Sequence, residues 1–151
     1  MRAVLSTGSN IGDARAHLAT VVDALEPIAQ SALYATAPWG GVEQQDFINQ
    51  ALLVDAPFIS PHALLQTCQE LEQRANRVRD IRWGPRTLDV DIVAIDGVES
   101  DDPVLTLPHP RAHLREFVLR PWLEIDAHAT LHGQPLEYWL ERLEPQGVRR
   151  L

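Results

Sequence analysis

Apolar residues in the first half of the chain follow a strand period, then a helix period, then two further strand periods. The run 3–7 predicts a short strand that ends at Gly8, where glycine, serine and asparagine follow one another. Apolar residues then recur at helical spacing over 11–25. The runs 31–36 and 47–54 predict two more strands, the second with apolar side chains on both faces.

The second half mixes the same two periods. A helix is predicted over 61–78, where a Ser-Pro pair supplies the cap and the first turn. A strand over 88–95 leads through a tight turn at 96–97 to a further antiparallel strand at Val98. Two more helices are predicted, over 110–120 and 135–143. Hairpins mixed with helices favour an α+β fold, with a mainly antiparallel sheet and helices packed on it.

Composition places the chain among ordinary globular proteins. Its 151 residues are 45% hydrophobic, which suits a single domain, 1–151, with a sizeable core. Cys68 is the single cysteine, so no disulfide framework or thiolate metal cluster is expected, as is usual in the cytoplasm. No apolar run is long enough to span a bilayer, and the first residues reach a polar break too early for a signal peptide. We therefore expect a cytoplasmic protein without a membrane partner.

The charge balance narrows the range of partners. A net charge of −8 argues against a general nucleic-acid binder, which needs an extended basic surface. The chain contains no lysine, so a Walker-type phosphate loop and Schiff-base chemistry are excluded. Any phosphate binding must use arginine, main-chain amides or a metal ion. The pair Arg149-Arg150 is interpreted as a solvated end.

Two acids stand at strand spacing beside the densest arginine cluster of the chain. Asp89 and Asp91 alternate with Leu88, Val90 and Ile92, so the carboxylates are expected on one face and the apolar side chains on the other. Five of the 13 cationic residues precede or adjoin these acids, namely Arg74, Arg77, Arg79, Arg82 and Arg86. Arginine matches phosphate oxygens, and a carboxylate pair suits Mg²⁺ that is shared with substrate phosphates. The combination predicts a metal–polyphosphate site, against the alternative of a solvated strand face with an ion pair.

Several motifs occur in a fixed order along nearly the whole chain. They are Gly8-Ser9-Asn10, Phe47-Ile48-Asn49, Glu72 ahead of Arg77-Val78-Arg79, the run RWGPRTLDVD over 82–91, and Pro108-His109-Pro110 with Arg115 and Phe117. In this combination the chain resembles the 6-hydroxymethyl-7,8-dihydropterin pyrophosphokinase family of folate biosynthesis. The resemblance implies a ferredoxin-like α/β sandwich. It also implies transfer of an intact diphosphate from ATP to the hydroxymethyl group of the pterin, with release of AMP.

The resemblance implies a role for each acid and arginine. Asp89 and Asp91 would hold two Mg²⁺ ions that bridge the ATP phosphates, an arrangement suited to in-line displacement. Arg77 and Arg86 would neutralise the migrating diphosphate, which makes these four residues the implied catalytic set. The implied ATP-binding residues are Gln69, Glu72, Arg79, Arg82, Ile92, Thr106, His109 and Arg115.

A flat, apolar binding site for the pterin, with an amide at its edge, is implied as well. Phe117 and Trp39 would sandwich the ring, since aromatic rings favour offset stacking. Asn49 would pair with the donors and acceptors of the pterin. The full implied set is Thr36, Trp39, Phe47, Asn49, Trp83 and Phe117. With ATP and the pterin as small-molecule partners, we expect a monomer.

Two other functions remain open at this point. A Mg²⁺-dependent hydrolase of nucleoside polyphosphates would use the same acids to activate water, but it would give no reason for Asn49 and the aromatic residues. A non-catalytic sensor of a nucleotide or a pterin would need affinity without two metal-binding acids. Pterin-dependent formation of AMP separates diphosphate transfer from both alternatives.

Overall fold

The structure, a computed structural model, describes residues 1–37, 45–55, 57, 60–77 and 87–151. Residues 76 and 77 are described as helix backbone. Within these ranges, ten strands and four α-helices form a main sheet, two short hairpins and two helical layers. No helix in this part of the chain combines the length and the apolar character needed to cross a membrane.

The first part of the chain alternates strands with two long helices, and the later part consists of shorter elements. In chain order they are β1 (Arg2–Ser9), α1 (Ala14–Leu25), β2 (Ala29–Gln30), β3 (Tyr34–Thr36), β4 (Phe47–Asp55), α2 (Pro61–Arg77), β5 (Asp89–Ile95), β6 (Ser100–Asp102), β7 (Leu105–Leu107), α3 (Glu116–Ile125), β8 (Thr130–Leu131), β9 (Gln134–Pro135), α4 (Leu136–Leu140) and β10 (Val148–Arg150). A 3₁₀ turn, Ala112–Leu114, precedes α3.

The main sheet is antiparallel and has the order β10-β3-β4-β1-β5, with β2 also paired to β4. Helix α1 follows β1 and helix α2 follows β4, so the unit β1-α1-β3-β4-α2-β5 forms a sheet in the order β3-β4-β1-β5. This is the ferredoxin-like arrangement, in which two strand–helix–strand units are interleaved. The expected α+β fold, a ferredoxin-like α/β sandwich, is confirmed.

One face of the sheet packs against α1 and α2. The strands contribute Leu5, Leu52 and Ile92 to this core, and the helices contribute Leu18 and Leu64. Each of these side chains is at most 4% exposed. Burial of one such side chain contributes about 1.5–3 kcal/mol, so this layer is a main source of stability.

The opposite face packs against α3 and α4. Val4 and Val93 of the sheet meet Leu119 and Trp122 of α3 and Leu136 of α4. Because neighbouring strand residues point to opposite faces, β1 serves both cores at once. The sheet therefore lies between two helical layers.

The long helices and strands that the sequence predicts are confirmed, but their first or last residues differ from the prediction. Strand β1 continues through Gly8 to Ser9, because both residues still pair with β4. Helix α1 begins at Ala14, later than predicted, because the Asp13 carboxylate caps it by accepting a hydrogen bond from Ala16 N (3.1 Å).

The predicted continuous helix over 110–120 is wrong. The segment contains the 3₁₀ turn Ala112–Leu114, then Arg115 in an extended conformation (φ −119°, ψ 105°), and α3 begins only at Glu116. Hydrogen bonds from Gln146 hold the main chain on each side of Arg115. A distant segment therefore causes the break, and the apolar spacing of residues 110–120 does not record it.

The elements that sequence periodicity does not predict are mainly the shortest ones. Strands β2, β6, β7, β8 and β9 have two or three residues each, too few to establish a period. The strand predicted at Val98 is an isolated bridge to Ile95. The helix predicted over 135–143 is shorter, Leu136–Leu140, and the strand predicted over 31–36 is reduced to Tyr34–Thr36.

The side chains of Arg149 and Arg150 are exposed, as the interpretation of a solvated end predicts, but the two residues also have a structural role that the sequence does not indicate. Both residues belong to β10, which pairs with β3. Arg149 Nη2 donates to Asp46 Oδ2 (2.6 Å), and Arg150 Nε donates to Glu124 Oε1 (3.1 Å). A short, charged edge strand has no apolar alternation, so only its place in the sheet identifies it.

Glu124 of α3 joins the helix to β3 and β10. Its Oε1 accepts hydrogen bonds from Tyr34 Oη (2.6 Å) and Arg150 Nε (3.1 Å), and its Oε2 accepts one from Ala32 N (2.8 Å). Burial acts to raise the pKa of Glu124, but these hydrogen bonds outweigh burial and hold the pKa below its ordinary value. Burial, and next the hydrogen bond to Glu124, raise the pKa of Tyr34 to about 12. The fold therefore favours an ionised Glu124 and a neutral Tyr34.

We expect Glu124→Gln to lower the free energy of unfolding at neutral pH by about 0.5–1 kcal/mol, because hydrogen bonds to a charged group are weakened and solvent screens part of this effect. A lowered folded-state pKa contributes stability above the unfolded-state pKa, and this stability is lost as pH falls through the folded-state value. The wild type should therefore lose stability below about pH 4.5 more steeply than the variant. Urea unfolding across this pH range measures both effects, with the exposed Glu144→Gln as control. Parallel pH profiles of the wild type and Glu124→Gln would contradict the prediction.

Candidate active site

Among the described residues, the apolar core under α3 covers only part of the length of the strands in the main sheet. On β1, Val4 packs in the core under α3, and Ser6 and Gly8 follow on the same face at the strand period. Gly8 is paired with Asn49 of β4, and Ser6 is paired with Asp91 of β5. Beyond the apolar core under α3, this face of the sheet is therefore formed by polar residues and a glycine.

A cavity of about 350 Å³ opens at this point. Its walls come from β1, β3, β4, β5, the start of α3 and the C-terminal segment. The lining residues are Ser6, Thr7, Gly8, Thr36, Ala37, Phe47, Asn49, Asp89, Asp91, Arg115, Phe117 and Gln146. Its volume falls in the usual range of pockets that hold a small molecule.

Asp89 and Asp91 bring two carboxylates to this cavity. They lie on β5 on either side of Val90, which is 3% exposed in the core beneath α2. The Val90 N–H donates a hydrogen bond to Glu72 Oε2 of α2 (3.0 Å). The structure thus places both acids on one face, as the alternation along the strand predicts, and anchors the strand between them.

Asn49 approaches β1 closely because residue 8 is glycine. Its Nδ2 donates to Thr7 O (3.4 Å), and a β-carbon on Gly8 would lie 2.6 Å from that nitrogen. Asn49 is 5% exposed, and Thr36 on the neighbouring strand is 7% exposed. Within the described ranges, neither Asn49 Oδ1 nor Thr36 Oγ1 has a hydrogen-bond partner. Buried polar atoms are seldom left in this state, and both atoms can accept a hydrogen bond from a bound molecule.

Phe117 and Arg115 reach the cavity from the start of α3. Phe117 is half-buried and packs against the core under that helix. The guanidinium carbon of Arg115 lies 5.6 Å from the centre of the Phe117 ring, within the range of a cation–π contact. This wall therefore combines aromatic surface with positive charge.

His109 contacts β5 through its main chain. Its N–H donates to Val93 O (2.7 Å), and its Nδ1 accepts a hydrogen bond from Arg111 N (3.2 Å). Burial lowers the pKa of His109; the charge of Asp91 opposes this, and Arg115 and Arg111 lower the pKa further. The ring is thus neutral at neutral pH. Because Nδ1 is an acceptor, Nε2 carries the proton and is available to donate.

Glu72 and His109 contact β5, as described above, and the structure distributes the other predicted site residues over three groups. Those at the cavity are Thr36, Phe47, Asn49, Asp89, Asp91, Arg115 and Phe117. Elsewhere, Ile92 lies in the core on the opposite face of β5, Gln69 is exposed on α2, and Thr106 Oγ1 donates to Asp102 O (3.0 Å). Arg77 is the last residue of α2. The predicted residues outside the described ranges are Trp39, Arg79, Arg82, Trp83 and Arg86.

Five lining residues are not among the predicted site residues, namely Ser6, Thr7, Gly8, Ala37 and Gln146, although Gly8 belongs to the Gly8-Ser9-Asn10 motif. Ser6 and Gly8 carry a weak signal, because they come at the end of an apolar strand and share the strand face opposite to Leu5. Gln146 carries none, since it lies in a segment without an apolar period. Its place at the cavity depends on tertiary contacts.

The residues present suit a divalent cation that is shared with a phosphate group. Mg²⁺ is usually held by one or two carboxylates together with substrate phosphates and water, not by a complete protein cage. Asp89 and Asp91 are partly exposed at the cavity wall, and Arg115 lines the same cavity. This donor set fits Mg²⁺ and leaves positions for phosphate oxygens.

Comparisons with known proteins agree with this chemistry. A family model described as 7,8-dihydro-6-hydroxymethylpterin-pyrophosphokinase (HPPK) matches residues 4–127. A relative from Mycobacterium tuberculosis, named 2-amino-4-hydroxy-6-hydroxymethyldihydropteridine pyrophosphokinase, is 46% identical over 95% of this chain and 85% of its own. A relative of the same name from Methylorubrum extorquens is 40% identical over 99% of this chain and 98% of its own.

A solved structure, that of wild-type Plasmodium falciparum HPPK-DHPS with SDX-DHP, resembles the fold with a TM-score of 0.69. The match covers 93% of this chain and 43% of that longer one, at 14% sequence identity. At this identity the likeness shows the fold alone. The chain thus spans a little under half the length of that solved protein.

We expect Gly8→Ala to displace the Asn49 amide, because the new β-carbon would lie 2.6 Å from Asn49 Nδ2. The free energy of unfolding should fall by about 1–3 kcal/mol, the usual cost of overpacking. In an Asn49→Ala background the same substitution should cost less than about 1 kcal/mol, because the colliding atom is gone. Urea unfolding of the four proteins measures the difference. Equal costs in both backgrounds would show that Asn49 does not create the need for glycine.

Proposed function

The chain belongs to the 7,8-dihydro-6-hydroxymethylpterin-pyrophosphokinase family, and on this basis we propose that it transfers diphosphate from ATP to 6-hydroxymethyl-7,8-dihydropterin. The hydroxymethyl oxygen of the pterin would accept the diphosphate, and AMP would be released, as a step of folate biosynthesis. The observation that carries the proposal is a single cavity in which Asp89 and Asp91 lie together with an aromatic and amide wall. The acids suit metal-bound phosphates, and the wall suits a flat heterocycle.

Four lining residues form what we call the pterin slot: Thr36, Phe47, Asn49 and Phe117. Asn49 Oδ1 and Thr36 Oγ1 have no partner among the residues described, and the edge of a pterin carries both donors and acceptors. A side-chain amide can donate and accept at once, which suits such an edge. Phe117 and Phe47 add aromatic surface for stacking. Trp39 and Trp83 complete the proposed set.

Asp89 and Asp91 would hold magnesium. The family uses ATP and Mg²⁺, and we propose two ions at this pair of acids. Two bound ions stabilise the attacking and leaving oxygens of an in-line displacement. Because Val90 and Ile92 are buried on the other face of β5, the strand holds both carboxylates in place before substrates bind. Preorganised charge of this kind is most effective, since it costs no rearrangement during the reaction.

Positive charge around the cavity would bind the polyphosphate. Arg115 would contact ATP phosphates beside the pterin slot, and His109 would donate from Nε2. Arg77 and Arg86 would neutralise the migrating diphosphate. The other proposed ATP contacts are Gln69, Glu72, Arg79, Arg82, Ile92 and Thr106. We further propose that the protein acts as a monomer in the cytoplasm.

The experiment that tests the function is a product assay. Purified protein with ATP, Mg²⁺ and 6-hydroxymethyl-7,8-dihydropterin should form AMP and pterin diphosphate in equal amounts, because one diphosphate moves per turnover. Omission of either the pterin or Mg²⁺ should abolish both products. Formation of AMP without the pterin would identify a hydrolase. Pterin binding by the folded protein without any AMP would identify a sensor.

We expect Asp91→Asn to lower kcat about a hundredfold or more, because a metal ion at a transferring phosphate contributes several kcal/mol to transition-state stabilisation. Pterin affinity should change little, since Asp91 is not part of the pterin slot. Rapid-quench assays for turnover and calorimetric titration for pterin binding measure the two effects. Asp23→Asn, an exposed aspartate on α1, is the matched control and should retain full activity. Retained turnover in Asp91→Asn would remove this residue from the metal site.

A further inference from the structure

The C-terminal segment contacts two walls of the cavity. Val148 of β10 pairs with Thr36 of β3, and Gln146, two residues earlier, lines the cavity and bonds the start of α3. Thr36 and Phe117, which lie on these two walls, both belong to the pterin slot. Residues 146–148 therefore connect the two sides of the slot.

Gln146 makes three hydrogen bonds at the start of α3, one to Leu114 of the preceding turn and two to Glu116, the first residue of the helix. Its Oε1 accepts from Glu116 N (3.0 Å), its Nε2 donates to Leu114 O (2.9 Å), and its main-chain N donates to Glu116 Oε2 (3.0 Å). The side-chain amide thus pairs with the main chain on both sides of the extended residue Arg115, as a neighbouring strand would. This contact keeps Arg115 extended where the apolar spacing predicts a helix.

The Glu116 carboxylate also stabilises the contact between Gln146 and the start of α3. The residue is 6% exposed, and its Oε1 accepts a hydrogen bond from Arg120 Nε (2.9 Å) one turn further along α3. Its Oε2 is the acceptor for Gln146 N, so both oxygens of a buried carboxylate have partners. Removing a partner from such a group is costly, which favours this one arrangement. The reciprocal pair therefore determines the direction of the first turn of α3, which carries Phe117.

We propose that Gln146 is a positioning residue for the pterin slot and acts through Phe117, the slot residue on the first turn of α3. Both polar atoms of its amide already bond the main chain, so its effect on a ligand passes through the turn that it holds. Side chains in a binding site are accurately placed only when surrounding contacts restrict them, and a shift of about 1 Å is enough to weaken function. The inference rests on the proposed function, because it assigns the slot to the pterin.

The test is a double-mutant cycle on affinity for 6-hydroxymethyl-7,8-dihydropterin, measured by calorimetry with the full chain. Gln146→Met keeps the length of the side chain and removes both amide hydrogen bonds. We expect it to weaken pterin binding about three- to tenfold, the order of effect that the loss of two hydrogen bonds produces. In a Phe117→Ala background the same substitution should change affinity less than about twofold, because the residue through which it acts is gone. A merely structural role would instead give the same loss in both backgrounds.

Two further variants complete the experiment. Gln146→Ala should show the same loss as Gln146→Met if the hydrogen bonds, and not the packing of methionine, are responsible. Arg150→Met is the matched control, because Arg150 lies on the same segment and bonds Glu124 further along α3. It should leave pterin affinity unchanged, and circular dichroism confirms that each variant is folded.

The outcomes separate this inference from the proposed function. Wild-type affinity in Gln146→Met and Gln146→Ala, additive losses in the Phe117→Ala background, or an equal loss in Arg150→Met would each overturn the inference alone. A folded wild type that does not bind the pterin would overturn the proposed function and this inference together.

Discussion

The antiparallel pairing of β1 with both β4 and β5 is the constraint on which the rest of the structure depends. Because β1 lies between these strands, its alternate residues serve two helical layers, with Leu5 toward α1 and α2 and Val4 toward α3 and α4. The same alternation brings Ser6 and Gly8 to the cavity, beside the acids of β5 and the amide of Asn49. A one-residue slip would turn every one of these side chains to the other face. The register that forms the cores therefore also forms the site.

The cavity concentrates groups that oppose folding. Asn49 Oδ1 and Thr36 Oγ1 are buried, and the described residues offer them no partner, which costs about 1–3 kcal/mol for each atom. The apolar layers on both faces offset these costs. A ligand that satisfies these polar atoms would relieve the cost, so binding and stability are linked at the same residues.

Tertiary contacts determine the shape of the cavity at the polar ends of these strands. The extended residue Arg115 lets α3 begin at Glu116, which brings Arg115 and Phe117 to the cavity together. The C-terminal segment then fixes that turn through Gln146 and continues as β10 along β3, next to Thr36. Elements from both ends of the chain thus complete a site whose acids lie on a central part of the sequence. Accurate placement of this kind is what a site for a rigid, planar molecule requires.

The sequence by itself determined the long elements, the shared face of Asp89 and Asp91, and the family, because strand alternation, helical spacing and ordered motifs are all recorded in local patterns. Only the tertiary structure decided the break at Arg115, the strand at β10, the need for glycine opposite Asn49 and the presence of Gln146 at the cavity. Each of these depends on residues that meet only in the folded chain, as Glu116 and Gln146 do across 30 positions. A periodic pattern reports which face of its own element a residue occupies. It carries no information about which distant residue will lie against that face, since the packing of the whole chain determines that contact.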